Sequence, residues 1–226
     1  MAEFKTHVTT GLLCGYLAGI ASVALDYKIE NNTPLCILAG SFIGSFLPDL
    51  DHNDGKPFSF VFNIMAISGL SIAFAYFIRS GPPSKLGWVA IPPMVGLFIR
   101  YGLGTIFKKY TSHRGIFHSI PAMLIATLSI PLALSSFHLS PIDISGISLS
   151  VGIGFLSHLI LDELNSAMNF EGILIVPKSS LGTALKFFST SRPVTVTAYF
   201  ILTALIYLNH QEATGFFQGL KIWLKG

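Results

Sequence analysis

Charge is what this 226-residue chain has least of: Asp, Glu, Lys and Arg together make up 11% of it, against 51% hydrophobic residues. That is too little charge to clothe a soluble globule, so water is not the main solvent. Cysteine is scarce as well. Cys14 and Cys36 are too few for a disulfide framework and lack the spacing of a metal knuckle, which leaves them as packing residues. A formal charge of +3 is dispersed along the chain, with Lys108-Lys109 its adjacent basic pair, and this excludes a nucleic-acid surface. The sequence has no internal repeat, low-complexity tract or dividing linker, so one integral membrane domain over 1–226 is expected.

In place of charge the chain carries apolar runs that approach the roughly 20 residues needed to cross a hydrocarbon core. Seven spans are drawn, near 8–25, 34–47, 58–78, 86–107, 116–137, 144–161 and 194–208, which predicts an all-α, polytopic transmembrane helix bundle. The second and last are short, which implies a thinned bilayer, ends buried in protein or spans longer than their apolar core. Pro92-Pro93, Pro121 and Pro131 lie inside apolar runs, where kinks are expected. Gly172–Val176 is apolar but too short to cross and is read as an interfacial or re-entrant piece. Near the C-terminus, Phe216, Phe217, Leu220, Trp223 and Leu224 share one helical face, which predicts an amphipathic surface helix over 214–225. Lys5 before an apolar run resembles a signal peptide with Ser22-Val23-Ala24 as a weak cleavage site, but retention is the expectation.

Span parity then sorts the loops. One face carries Lys5, Lys56, Lys108, Lys109, Arg114, Lys178, Lys186 and Arg192, the other Lys28, Arg79, Lys85, Lys221 and Lys225, so the richer face is assigned to the cytoplasm. That same face collects His7, the Asp49-Leu50-Asp51-His52 run, the His113 to Ser119 run, and His158 with Asp162. Each has a plain explanation alone: His7 as a headgroup contact, Asp49 to His52 as a solvated turn beside Asp54-Gly55, His158 and Asp162 as a buried hydrogen-bonded pair, Ser119 as a helix N-cap. His138, His210, Asp26 and Asp143 are given the headgroup reading outright, and Glu163 a solvent or headgroup contact at a helix end. Jointly, imidazoles and carboxylates from four segments on one face favour a metal site. His158 and Asp162, four apart on a helix, stack so that both can reach one cation.

Taken in order, Leu47-Pro48-Asp49-Leu50-Asp51-His52, then His113-Arg114-Gly115 with His118-Ser119, then Gly154-Phe155-Leu156-Ser157-His158 with Asp162, resemble the LexA-regulated inner-membrane metal-dependent hydrolases of the YdjM type. The resemblance extends from His7 to about Pro177. It implies metal-dependent hydrolysis at the bacterial inner membrane, of a phospholipase-like kind, with Asp49, Asp51, His52, His113, His118, His158 and Asp162 as ligands and His7 joining them. The chain departs from the family at Phe117, where a Thr is usual, and at Asn165-Ser166, where a Thr-Pro pair commonly follows, so substrate contacts transfer less readily than ligands.

These side chains would hold one or two divalent ions, and their N/O character suits Zn, Mn or Fe without choosing among them. Such an ion lowers the pKa of a bound water, with Asp51 or Asp162 as base where the metal leaves one free, while Arg114, aided by Lys109, Arg100 and Ser119, holds the substrate's negative charge. An interfacial site calls for an amphipathic substrate from the membrane lipid, a phosphoester first and an ester or amide second. Two other readings stay open: an ion transporter or metal-binding membrane protein, and a metal-independent lipid phosphatase using His158 as nucleophile. The second lacks the Pro-Ser-Gly-His element that such phosphatases carry.

Overall fold

The computed structural model describes residues 3–24, 32–52, 55–82, 84–110, 115–137, 139–167, 170–171, 174–175 and 182–210. Helices α1 (Phe4–Ala24), α2 (Thr33–Gly44), α3 (Lys56–Ser80), α4 (Lys85–Leu97), α5 (Gly104–Tyr110), α6 (Ile120–Leu134), α7 (Pro141–Ala167) and α8 (Arg192–Leu208) follow one another along the chain. A 3-10 turn over Leu47–Asp51 extends α2, and a π-helical stretch over Phe98–Leu103 joins α4 to α5. Two two-residue strands, Phe170–Glu171 (β1) and Leu174–Ile175 (β2), pair antiparallel with Phe170 opposite Ile175. β2 is the described part of Gly172–Val176, the segment expected to be interfacial or re-entrant. The surface helix expected over 214–225 lies outside the described residues.

Local chemistry explains where the helices begin. Proline stands in the first turn of α2, α3, α6 and α8, where its missing N–H costs nothing. Pro121 is one of these: α6 starts at Ile120, later than the apolar run that contains it, so Pro121 opens a helix and kinks none. Ser84 and Ser119 cap α4 and α6 by accepting from Gly87 N and Ala122 N. At its other end, α3 stops at Gly81, whose φ of 74° suits glycine alone.

Five helical stretches are long and apolar enough to cross a membrane, among them Lys85–Lys109, while α6 and α8 are shorter apolar helices. Packing is inverted relative to a soluble protein. In α1 the buried residues are His7, Gly11, Gly15 and Gly19, whereas Leu13, Leu17 and Val23 are more than half exposed. Small and polar groups face inward and large aliphatic ones outward, as an apolar solvent requires.

Two compact units are present, Met1–Pro48 with Arg114–Gly226, and Asp49–His113. In the first, α2 packs against α1 and α7, α7 also meets α1 and α6, and α8 lies on α6. Glycines set the spacing: a Cβ at Gly15 would come within 3.0 Å of Leu38 Cα, and one at Gly154 would strike the Ser41 carbonyl. Lipid tails offer no hydrophobic gain to helix pairing, so such backbone approach supplies the dispersion contact instead. Asp143 at the start of α7 is fully buried, accepting from Thr33 Oγ1 at 2.6 Å and Ser140 Oγ at 2.5 Å. It ties the N-terminal ends of α2 and α7 together, which corrects the headgroup reading. The second unit joins α3 to α4, the π stretch and α5 around Phe58, Phe62 and Phe107, with Phe58 and Phe62 stacked at 4.4 Å.

Candidate metal centre

The buried faces of α1 and α7 run directly into the site. On α1 the ridge Gly19, Gly15, Gly11 continues, four residues on, to His7. On α7 the buried series Val151, Phe155, His158, Asp162, Ser166 keeps one helical face. The α1 glycines seat that helix on α2, where a Cβ at Gly11, Gly15 or Gly19 would meet Ser45, Leu38 or Pro34, and α2 in turn seats on α7 through Gly44 and Gly154. With both helices held on α2, the His7 and His158 rings stack, 3.6 Å between centroids and 12° between planes. His118, in the short turn before α6, adds a third imidazole whose ring meets that of His158 edge-on at 5.5 Å.

Three Nε2 atoms converge on the two oxygens of one carboxylate. His7 Nε2 is 3.4 Å from Asp162 Oδ1, His118 Nε2 is 3.7 Å from Oδ2, and His158 Nε2 is 3.8 Å from Oδ2. All four residues are fully buried. These separations exceed a good N–H···O hydrogen bond of about 2.9 Å. They are nearer the separation of two donors that share an ion, since donors about 2.1 Å from a central ion at the tetrahedral angle stand about 3.4 Å apart. His7, His158 and Asp162 each offer a donor atom within 4.8 Å of the others. The residues present therefore fit a divalent ion, and three nitrogens with a carboxylate suit Zn, Mn or Fe.

A second contact fixes the chemistry of His158. Its Nδ1 lies 2.7 Å from the Ser45 carbonyl, one of the carbonyls left over at the C-terminal end of α2. A carbonyl only accepts, so Nδ1 carries the proton and donates, which leaves Nε2 as the ring atom that faces Asp162. This is the outer-shell device by which proteins set the tautomer and angle of a ligating imidazole.

His118 is held from both sides. Ser119 Oγ donates to the Ile116 carbonyl while accepting from Ala122 N at 3.3 Å, so the hydroxyl proposed as a substrate contact serves as the cap. Ile120 N donates to the Lys186 carbonyl at 3.0 Å, which fastens the segment to residues 182–186. That stretch is in turn tied to α7, because the Glu163 carboxylate accepts from Gly182 N and, at 3.2 Å, from Ala184 N. Glu163 is thus a structural anchor rather than a headgroup contact. Nothing near it in sequence signals this, since its partners lie some 20 residues on.

The other expected site residues sit as follows. In the second unit Asp51 is fully buried and Asp49 half-buried, both on the 3-10 turn, whereas His52 is exposed. A solvated turn does not describe Asp51. Arg100 is half-buried on the π stretch with its Nε donating to Asn63 Oδ1 at 2.7 Å, and Lys109 is exposed at the end of α5. His113 and Arg114 lie outside the described residues, as do Asp26, Asp54 and His138. His210 is exposed just beyond α8.

No curated protein and no solved structure matches the chain. A family model does, along nearly its whole length: that of the YdjM inner membrane protein covers residues 1–224. With apolar helices of spanning length and a buried His/Asp cluster already in place, the chain belongs to the YdjM inner membrane protein family.

Proposed function

We propose that the protein is a multi-pass, metal-dependent hydrolase of the inner membrane, with its site toward the cytoplasmic face and a phospholipid-like phosphoester as substrate. The observation that carries the metal reading is the convergence of three Nε2 atoms on Asp162 at 3.4–3.8 Å. His7, His118, His158 and Asp162 would hold the ion. A divalent metal there supplies Lewis acidity toward a phosphoryl oxygen and a nucleophile at neutral pH.

The chain's own residues account for the rest. Ser45 orients His158, Glu163 with the 182–186 stretch orients His118, and burial of all four donors keeps bulk water from competing. Hydrolysis places the oxygen of water on phosphorus, breaks the ester P–O bond and returns a proton to the leaving alcohol. Arg114, four residues before His118, is assigned the developing negative charge.

Depth favours an enzyme over a transporter. His7 lies about 5 Å and Asp162 about 8 Å along the axis from the nearby helix ends, taking 1.5 Å per residue. Transport sites are built near the midplane, about 15 Å deep, on broken helices.

The test is chelator-free purification, elemental analysis, and incubation with a mixed lipid extract read by mass spectrometry. Bound metal near or above one equivalent, with lipid products that vanish on chelation and return with added metal, is the expected result. Metal-free protein, or metal flux in proteoliposomes without lipid turnover, refutes the proposal.

A further inference from the structure

The second unit holds a cation that the metal centre does not use. Arg100 stands nine residues before Lys109, about 13 Å from that end of the span. An ionisable side chain at such depth marks a functional site unless something nearby matches it. Among the described residues its partners are a neutral amide, Asn63, and two rings, Phe58 and Tyr101, each 5.5 Å from the guanidinium carbon. The side chain leans toward the Lys56 end of α3, where Lys108 Nζ lies 4.7 Å from the centroid of the Phe58 ring. Two cations therefore flank one buried phenyl ring.

Beside this pair runs an open groove of about 470 Å³ between α3 and α4, walled by Ala66, Ile67 and Leu70 on one side and Pro93 and Leu97 on the other. Asn63 and Arg100 close its polar end. Its volume falls in the range of about 300–1,000 Å³ usual for ligand sites. Arg100 sits on π-helical backbone, a distortion that recurs at functional sites.

We infer that the α3/α4 groove binds one anionic phospholipid, with an acyl chain along Ala66, Leu70, Pro93 and Leu97 and the phosphodiester on Arg100. Charge complementarity chooses this occupant. A guanidinium takes a phosphate through paired hydrogen bonds, whereas a zwitterionic headgroup brings its own cation into the same place. The inference is drawn from the second unit alone and does not rest on the metal reading.

Native mass spectrometry of the full chain in mild detergent tests it, using equal amounts of a phosphatidylglycerol and a phosphatidylcholine with the same acyl chains. The parent is expected to retain phosphatidylglycerol with about tenfold preference, the scale of one charge-assisted hydrogen bond. Arg100→Gln brings that preference near unity and Arg100→Lys keeps part of it. Ile67→Trp, at an exposed wall position, lowers retention of both lipids. The preference persists in EDTA, which separates this site from the metal centre. Equal retention of both lipids by the parent, or an unchanged preference in folded Arg100→Gln, overturns the inference. So does a lipid-free dimer that Ile67→Trp dissolves, since the occupant is then a second copy.

Discussion

Replacing Asp162 by Asn separates a metal centre from a hydrogen-bonded polar cluster. The change keeps the volume and one carbonyl oxygen but removes the charge on which His7, His118 and His158 converge. Outer-shell partners of metal ligands are each worth about 10–100-fold in affinity, so a carboxylate at the centre of the donor set is worth at least about 100-fold. With metal at 100 times the parent's Kd, binding stabilises the fold by about 2.7 kcal/mol. For a chain of this length that raises the unfolding midpoint by about 5–11 °C. At the same metal concentration the variant, with Kd equal to the free metal, gains about 0.4 kcal/mol and moves by about 1–2 °C.

The metal-free protein should respond more weakly. In EDTA the carboxylate still faces the imidazoles of His7, His118 and His158, so losing its charge should lower the midpoint, but by less than it does with metal present. Intrinsic fluorescence during heating, with and without chelator, reads both quantities on the same sample, and elemental analysis supplies the stoichiometry. A cluster without metal predicts another pattern: the substitution lowers the midpoint equally in EDTA and in metal. That outcome, or an undiminished metal-dependent shift in the variant, refutes the assignment of Asp162.

Three further outcomes follow from the packing around the site. Gly154→Ala drives a methyl group into the Ser41 carbonyl and should cost about 1–3 kcal/mol with a parallel loss of bound metal, whereas at Gly146 a Cβ meets Ile37 Cδ1 at an ordinary 3.4 Å and Gly146→Ala should be tolerated; thermal midpoints compare the two. Ser119→Ala removes the α6 cap and should cost about 1 kcal/mol, with Ser119→Thr restoring it and KM for lipid unchanged; a raised KM in the alanine variant would return Ser119 to the substrate. Glu163→Gln weakens the charge-assisted bonds to Gly182 N and Ala184 N and should speed amide exchange of residues 182–186 about tenfold, measured by hydrogen–deuterium exchange.

The helices were legible in the sequence because lipid imposes a length. A run near 20 apolar residues has few alternatives, and the spans read near 58–78 and 86–107 lie within α3 and the Lys85–Lys109 stretch. Within the site, the i, i+4 pair His158 and Asp162 was legible for a similar reason, since helical geometry leaves both on one face. Among the residues' own signals His7 was legible only through parity, because what brings it to His158 is the glycine packing of α1 on α2 and of α2 on α7, whose meaning is a distance between helices. Ser45 contributes a backbone carbonyl and so has no side-chain signature at all. Asp143 misled for a different reason: an acid at a span boundary is ordinarily wet, and Thr33, 110 positions away, is what makes burial tolerable.

The glycine ridge and the donor set are one device seen at two depths. Helices in lipid gain nothing from hiding aliphatic surface, so α1, α2 and α7 associate through close backbone contact and cross-helix hydrogen bonds such as Ser41 Oγ to the Gly11 carbonyl at 2.7 Å. His7 continues the α1 ridge and His158 lies on the α7 face that meets α2, so seating both helices on α2 brings the two imidazoles together. An ion bound there favours the associated helices over separated ones, and by linkage it strengthens contacts well away from it along the ridge. The coupling is reciprocal: to the extent that an ion would tighten Gly15 against Leu38, loosening that contact would weaken the ion's binding, although no ligand has been touched.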